Sequence, residues 1–481
     1  MEHLVGVLNG LIWSKALIIL CLGAGIYFSF RTRFLQVRLL KDMVKLLFGG
    51  SSSEQGVSSF QAFALSVSGR VGTGNIAGVA TAIAMGGPGA LFWMWAIAFL
   101  GAGSAYVEAT LAQIYKVEQD GEYRGGPAYY IEKGMNNKWY ATTFAVATIV
   151  AMGFFLPGVQ SNSIAAGLNN AFGITPTVTG IILVVFLALI IFGGVKRISK
   201  AAEIIVPLMA TGYILVALIV IIVNISELPG VIALVFKSAF GAQPAFAGIL
   251  GMAISWGVKR GIYSNEAGQG TSPHAAAAAE VSHPAKQGLV QAFSVYIDTL
   301  FVCSATGFMI LITGMYNIYD KSGGFIANNL GDVEIGPIYT QRAVETLLPS
   351  FGGAFVAIAL FFFAFTTLMA YYYIAETNVA YLIRKSNNKS LINVLRFALL
   401  GATFYGAIKT ANLAWALGDI GVGTMAWLNV IAILIMGKPA LIALKDYEEQ
   451  KAAGKDPVFN SKKYDIKNAE FWENTTDSVS K

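Results

Sequence analysis

Charge is what this sequence has least of. Only 12% of its 481 residues are Asp, Glu, Lys or Arg, against about a quarter in soluble domains, and that shortage excludes an ordinary water-soluble globule. Cysteine is nearly missing, and Cys21 and Cys303 both sit inside apolar runs, so no disulfide framework can be built. The three histidines, His3, His274 and His283, are too scattered for a metal cluster. No apolar run holds a histidine or a paired nucleophile and base, which excludes an intramembrane enzyme. A nucleotide-driven pump is excluded as well, because the glycine pair Gly125-Gly126 leads into Pro127 and a turn, with no Lys-Ser or Lys-Thr at the offset a phosphate loop needs.

Apolar residues, in contrast, make up 56% of the chain, with 31 Phe, 20 Tyr and 8 Trp. The mean hydropathy is +0.62. Runs bounded by Gly, Pro or charge fall at about 11–30, 58–83, 88–115, 138–171, 174–195, 201–223, 245–266, 287–315, 350–383, 391–411 and 414–437, each near the roughly 20 residues a bilayer requires. The expected fold is therefore all-α and polytopic, with about eleven transmembrane helices. The formal charge of +6 is explained without nucleic acid. Basic connections (Arg31, Arg33, Arg38, Lys41, Lys45; Lys196, Arg197, Lys200; Arg384, Lys385, Lys389) alternate with connections at 84–88 and 172–176 that have none, which places the N-terminus outside and the C-terminus inside. The first run is read as a retained span, since its positive charge follows it. Residues 34–48 read as a basic amphipathic helix on the cytoplasmic face, 327–349 as a partly helical outer cap, and the tail beyond Asp446 as solvated. His274 and His283 are read as solvated residues of an inner loop.

Two runs carry a common irregularity. Ser66 to Gly78 has four glycines within ten residues, at Gly69, Gly72, Gly74 and Gly78, and Trp256 to Gly268 repeats the pattern. Each helix-interior glycine costs about 1 kcal/mol relative to alanine, so both stretches are places where a helix unwinds. Unwound backbone at bilayer depth must line a cavity and find partners there. Arg70, Asn75 and Ala77-Gly78 have the spacing of Arg260, Asn265 and Ala267-Gly268. The first stretch opens one set of five runs and the second opens the next. Five is odd, so the sets are inverted, which is the pattern of a secondary transporter with its site between discontinuous helices. The division expected is 1–57 for an N-terminal helix and amphipathic segment, 58–223 and 224–437 for two inverted repeats, and 438–481 for the tail. Close helix packing through small residues is the competing explanation of the glycines.

Helix dipoles narrow the ligand. A half-helix starting near Thr73 to Ile76 offers free N–H groups to a carboxylate, and one ending near Ser68 to Val71 offers carbonyl oxygens to a hard monovalent cation. A zwitterionic amino acid with sodium fits that polarity better than a sugar.

The motifs Gly72-Thr73-Gly74-Asn75-Ile76-Ala77-Gly78, Gly86-Gly87-Pro88-Gly89-Ala90-Leu91-Phe92-Trp93-Met94-Trp95 and Gly261-Ile262-Tyr263-Ser264-Asn265-Glu266-Ala267-Gly268 resemble those of the alanine or glycine:cation symporter family, the sodium:alanine symporters, over about 11–445. The resemblance implies sodium-driven, sometimes proton-driven, uptake of small neutral amino acids across a prokaryotic plasma membrane, in the inverted-repeat fold of neurotransmitter:sodium symporters. It places the substrate carboxylate at the amides of Thr73 and Gly74 beside Asn75, Gln160 across the cavity, and Trp256 and Ile262 as the side-chain wall. Carbonyls of Ser68 and Val71 with the hydroxyls of Thr366 and Thr367 would hold sodium. Asp298, deep in the eighth run, is either a cation or proton ligand or the partner of Arg70 or Arg260. Glu108 and Glu266 are read as structural or gating residues. No cofactor is expected beyond the coupling ion, Na+ or H+, and the partners expected are a small neutral amino acid, Na+ and membrane lipid, with no nucleic acid. A proton-coupled, glutamine or nucleobase symporter on the same fold is the alternative, with a channel behind it.

Overall fold

Lipid-compatible helices dominate the computed structural model, which describes residues 2–50, 52–386 and 390–473. Among these residues eight helices are long and apolar enough to cross a membrane: His3–Arg31, Gly89–Ile114, Lys138–Phe172, Lys196–Val223, Pro284–Thr313, Gly352–Ile383, Ser390–Ala407 and Ala411–Met436. Shorter apolar helices cover Gly74–Gly86, Pro176–Ile191 and Leu228–Ala239. The chain is thus a polytopic, almost wholly helical membrane protein. Its distribution of polarity is that of a protein in lipid. Leu208, Leu215, Ile219 and Ile222 of one helix face outward, while Arg70, Glu108, Glu266 and Asp298 are buried.

The runs expected at 58–83 and 245–266 are not single helices. The first divides into Ser59–Arg70 and Gly74–Gly86, and the second is Leu250–Asn265 followed, after an irregular stretch, by Ser272–Ala278. The Leu228–Ala239 helix was not anticipated, because its apolar stretch is too short to read as a span. It docks on the start of Gly89–Ile114, where Trp93 Nε1 donates to the Ala239 carbonyl at 3.1 Å.

Gly89–Ile114 is the central post, packed against Pro284–Tyr296, Leu250–Asn265 and Lys15–Arg31. Small residues permit the approach: a Cβ on Gly257 would lie 2.5 Å from the Ala90 carbonyl oxygen, and one on Gly288 would lie 2.1 Å from Thr110 Oγ1. The amphipathic segment forms as Leu35–Arg38 and Leu40–Leu47, with Leu35, Leu39, Met43 and Leu47 buried at intervals of four. Two short hairpins, Val117–Gln119 with Glu122–Arg124 and Asn317–Tyr319 with Phe325–Asn328, and the Pro337–Glu345 helix decorate the connections. The last of these realises the expected cap.

The tail is where expectation fails. Lys438–Ala452 is helical, and the chain beyond it folds back on the protein, burying Phe459, Ile466, Ala469 and Trp472. Phe459 N donates to the Ser282 carbonyl at 3.0 Å, and Trp472 Nε1 to that of Gln113 at 2.8 Å. Sequence polarity was misleading because four apolar residues spread through a lysine-rich stretch suffice to dock it. Lys389 and residues 474–481 lie outside the described residues.

Both histidines read as solvated are buried as well. His274 is wedged between the Thr271 carbonyl and Asn378. His283 accepts from Ala285 N at Nδ1 and lies 3.3 Å from Asp446 through Nε2, which suits the neutral imidazole with its proton on Nε2. Burial pushes the His283 pKa down, against the opposing pull of Asp446. Burial would raise the Asp446 pKa, but hydrogen bonds from His283, Tyr464 and Lys463 overcome it and hold the carboxyl below the usual range.

Candidate functional site

The first break begins where Ser59–Arg70 ends. That helix is started by a capping box in which Ser58 and Gln61 exchange bonds, and it stops because Val71 turns extended at φ −78°, ψ 91°. Helix resumes at Gly74 with a π-helical turn to Gly78. The carbonyls released at the end do not go begging: Thr367 Oγ1 lies 2.9 Å from the Ser68 carbonyl oxygen and 3.4 Å from that of Val71. The freed amides are also taken up. Gly72 N donates to Asn75 Oδ1 at 2.8 Å and Thr73 N to Gln160 Oε1 at 3.0 Å. Glycine is required at 72, since a Cβ there would sit 2.4 Å from Thr367 Oγ1 and 3.0 Å from Gln160 Oε1.

Asn75 looks two ways. Its oxygen holds the broken backbone, and its Nδ2 donates to Asp298 Oδ1 at 2.6 Å. Asp298 also accepts from Ser264 Oγ at 3.0 Å and Thr299 Oγ1 at 2.6 Å, beside Cys303. It lies in a π-helical segment, Ile297–Cys303, of its span, and such bulges mark functional positions often enough to be informative. The reading of Asp298 as a direct partner of Arg70 or Arg260 is not what the structure shows. Arg260 makes a bidentate pair with Asp419 at 2.9 and 3.0 Å, and Arg70 bonds the Gln291 carbonyl and Ser294.

The second break comes at the end of its motif rather than in the middle. Trp256 to Asn265 is continuous helix, and the chain departs at Glu266, which takes a left-handed φ of 55°. Glu108 then organises the irregular stretch. Its carboxylate accepts from the amides of Gly268 and Gly270 at 3.2 Å, from Ser272 Oγ at 3.3 Å and from Asn429 Nδ2 at 2.7 Å. Asn265 Oδ1 receives the Ala267 amide at 3.0 Å, and its Nδ2 is buried without a partner. The start of the first broken element and the end of the second are stitched together: Val57 N donates to the Ala278 carbonyl and Glu280 N to that of Val57, both at 2.9 Å.

Of the residues expected in a substrate site, Thr73, Gly74, Asn75 and Gln160 converge at the first break. Trp256 does not join them. Trp256 lines a surface cavity with Asn9, Trp13 and Lys259, and its ring lies 5.1 Å from the Lys259 ammonium. Ile262 is buried, and its carbonyl takes the Glu266 amide at 2.9 Å. The aromatic residues that stand at the break are Tyr263 and Tyr371. A Cβ on Gly74 would meet Tyr263 Cδ1 and Ser264 Cα at 3.2 Å, and Gln160 Nε2 reaches the Tyr371 hydroxyl at 3.3 Å. Tyr263 was available in the motif. Trp256 stands on the same face seven residues earlier, about 10 Å up the helix at 1.5 Å per residue, and an aromatic pattern does not tell which of the two is at the right depth.

Of the expected cation ligands, Ser68, Val71 and Thr367 converge. Thr366 turns its hydroxyl to the Phe363 carbonyl of its own helix at 2.9 Å, the usual habit of helical threonine. Asp298 stands on the other side of Asn75.

With this geometry in view, the comparison with known sequences is decisive. Residues 1–461 match the family described as the sodium:alanine symporter family. The chain belongs to the sodium:alanine symporter family. YrbD of Bacillus subtilis (strain 168), provisionally described as a sodium/proton-dependent alanine carrier protein, is 68% identical over 98% of both chains. The sodium/proton-dependent alanine carrier protein of Bacillus sp. (strain PS3) is 57% identical over 90% of this chain and 97% of its own. GlnT of Bacillus subtilis, described as a probable sodium/glutamine symporter, is 48% identical over 95% of this chain and 93% of its own. As a member of this family the chain is a transporter and not an enzyme.

Proposed function

We propose that the protein imports a small neutral amino acid, alanine in the first place, together with Na+, by alternating access of two inverted five-helix repeats at a prokaryotic plasma membrane. The observation that carries the reading is Thr367 bridging the freed carbonyls of Ser68 and Val71. A neutral hydroxyl at that point holds the place of a hard cation, for which oxygen ligands are the right chemistry. With sodium bound, the Thr367 proton turns to the Phe363 carbonyl, 3.0 Å away, and its oxygen lone pairs face the ion. Asp298 acts through Asn75.

The substrate carboxylate takes the amides of Thr73 and Gly74 by displacing the Gln160 oxygen. Gln160 thereby serves as an internal stand-in, which keeps the buried amide satisfied until a ligand arrives. The close approach of Tyr263 and Ser264 to Gly74 favours a substrate the size of alanine over one the size of glutamine. The names of relatives supply both possibilities. In this topology the broken elements count as spans two and seven of eleven, with the N-terminus outside and the tail in the cytoplasm. The coupling ion is the only cofactor required.

The test is uptake of labelled alanine and glutamine into proteoliposomes with choline replacing sodium at constant pH. Loss of alanine uptake on replacement is expected. Undiminished uptake moves the coupling to protons, and a preference for glutamine moves the substrate.

A further inference from the structure

Three carboxylates, Glu108, Glu266 and Asp298, are buried in the electrostatic field of one buried guanidinium, Arg70. If all were ionised, three negative charges would face one positive, leaving two without compensation, and buried charge at this depth has to be paired or neutralised. A sodium ion at the first break offsets one. The other requires a second cation.

The hydrogen bonds show which carboxylate takes it, because donors stabilise the ionised form. Glu108 receives four donors, and Asp298 is held by Asn75, Ser264 and Thr299. Glu266 receives Thr271 Oγ1 at 2.7 Å and no other donor among the described residues. It also faces a cavity lined by Leu65, Ser66, Gly69, Thr271, Ala370 and Tyr373. Ser66, 4% exposed, is on that wall with its Oγ buried and without a partner.

We infer that Glu266 and Ser66 form a proton-binding site in the cavity between Ser59–Arg70, Ser272–Ala278 and Gly352–Ile383. The inference rests on the symport reading only for its consequence, which is that the proton travels with the substrate and sodium. A proton suits this cavity better than a second sodium ion, since the space is only about 10 Å³ and the Ser272 and Tyr373 hydroxyls on its wall are already given to Glu108 and the His274 carbonyl, whereas a carboxyl proton needs a single acceptor and the Ser66 oxygen on the same wall is free. The groups that face Glu266 are Arg70 from the first half-helix, Thr271 from the stretch beyond Glu266 itself and Asp298 from the eighth span. Tyr263, Tyr371 and Tyr373 stand around it as neutral phenols. His274 of the short inner helix is turned away to Asn378.

Two measurements test this. In the purified protein without substrate, the infrared difference spectrum between acid and neutral pH should contain a protonated-carboxyl C=O band that Glu266→Gln removes. A spectrum unchanged by Glu266→Gln overturns the proposal whether or not the protein transports alanine. In proteoliposomes, sodium-driven alanine uptake should acidify a trapped pH indicator, and Glu266→Gln should abolish the acidification and flatten the pH dependence of uptake. Acidification equal to that of the unmodified protein, or a drop in sodium carried per alanine with the pH profile intact, overturns it, the second outcome by making Glu266 a sodium ligand. Should Glu266→Gln not fold, Ser66→Ala decides. Removal of the hydroxyl beside the carboxyl is expected to move the midpoint of the pH profile and of the infrared band together, and an unmoved midpoint overturns the proposal.

Discussion

The two helix breaks share a sequence pattern and differ in construction. At the first, the chain opens inside the motif, at Val71 to Thr73, and its polar groups are held by side chains that a solute could displace: Thr367 on the carbonyls, and Gln160 and Asn75 on the amides. At the second, the chain opens only at the end of the motif, from Glu266 onward, and a carboxylate with four donors, Glu108, fastens the stretch. The arginines diverge in the same sense. Arg260 is locked to Asp419 and stacked 4.4 Å from Trp415, whereas Arg70 keeps Nε and Nη2 unpartnered. A repeated sequence can therefore be held in two ways, one copy by neutral side chains that can be displaced and the other by a buried carboxylate that clamps it.

The sharpest way to break that comparison is at Gly72. Gly72→Ala puts a methyl group into Thr367, whose β-branched side chain has little rotamer freedom, and about a hundredfold or greater loss of sodium-dependent alanine uptake is expected, corresponding to roughly 2.7 kcal/mol or more. Uptake at full rate would show that the first break is not the binding point. At the second break, Glu108→Ala should act on stability. It leaves two amides, a hydroxyl and Asn429 without their acceptor, at about 1 to 3 kcal/mol for each buried group left unsatisfied, so the thermal midpoint in detergent should drop well below that of Glu108→Gln. Equal midpoints for the two variants would mean that the clamp contributes little.

A smaller and more discriminating contrast uses the matched asparagines. Asn75→Leu removes both the Gly72 acceptor and the donor to Asp298, and should abolish sodium-stimulated substrate binding. Asn265→Leu removes only the bond to Ala267, and should leave binding intact while slowing transport. Binding in detergent beside uptake in vesicles reads the difference, and identical behaviour of the two would dissolve the division of labour. The smallest effect concerns the aromatic wall. Tyr263→Ala should weaken alanine binding about tenfold, near 1.4 kcal/mol, with Trp256→Ala close to unmodified protein. Calorimetry that ranks them the other way would return Trp256 to the site.

The sequence by itself determined that this chain crosses the membrane many times, which helices are interrupted, and that Ser68 and Val71 lie at one side of the first interruption and Thr73, Gly74 and Asn75 at the other, whereas Gln160 and Thr367 were attached to it only by the family resemblance. The crossings, the interruptions and their two sides follow from properties local to a segment: apolar length against bilayer thickness, glycine within helix, and the polarity of helix ends. Tertiary structure decided the rest. That the second helix continues to Asn265 depends on Glu108 of another span collecting the loop beyond it. That Tyr263 and not Trp256 reaches the break depends on how deep its helix sits against Gly89–Ile114, which is set by contacts such as that of Gly257 on Ala90. That Asp298 serves Asn75 while Arg260 takes Asp419 is a choice among several buried charges of opposite sign, and no spacing along the chain can make it. The docking of the tail is of the same kind: few apolar residues in a polar stretch, whose burial depends on a receiving surface built by residues such as Gln113 and Ser282, more than a hundred positions away. Periodicity and composition report what a segment prefers, and which partner it finds is settled only when helices distant in sequence are brought to the same depth.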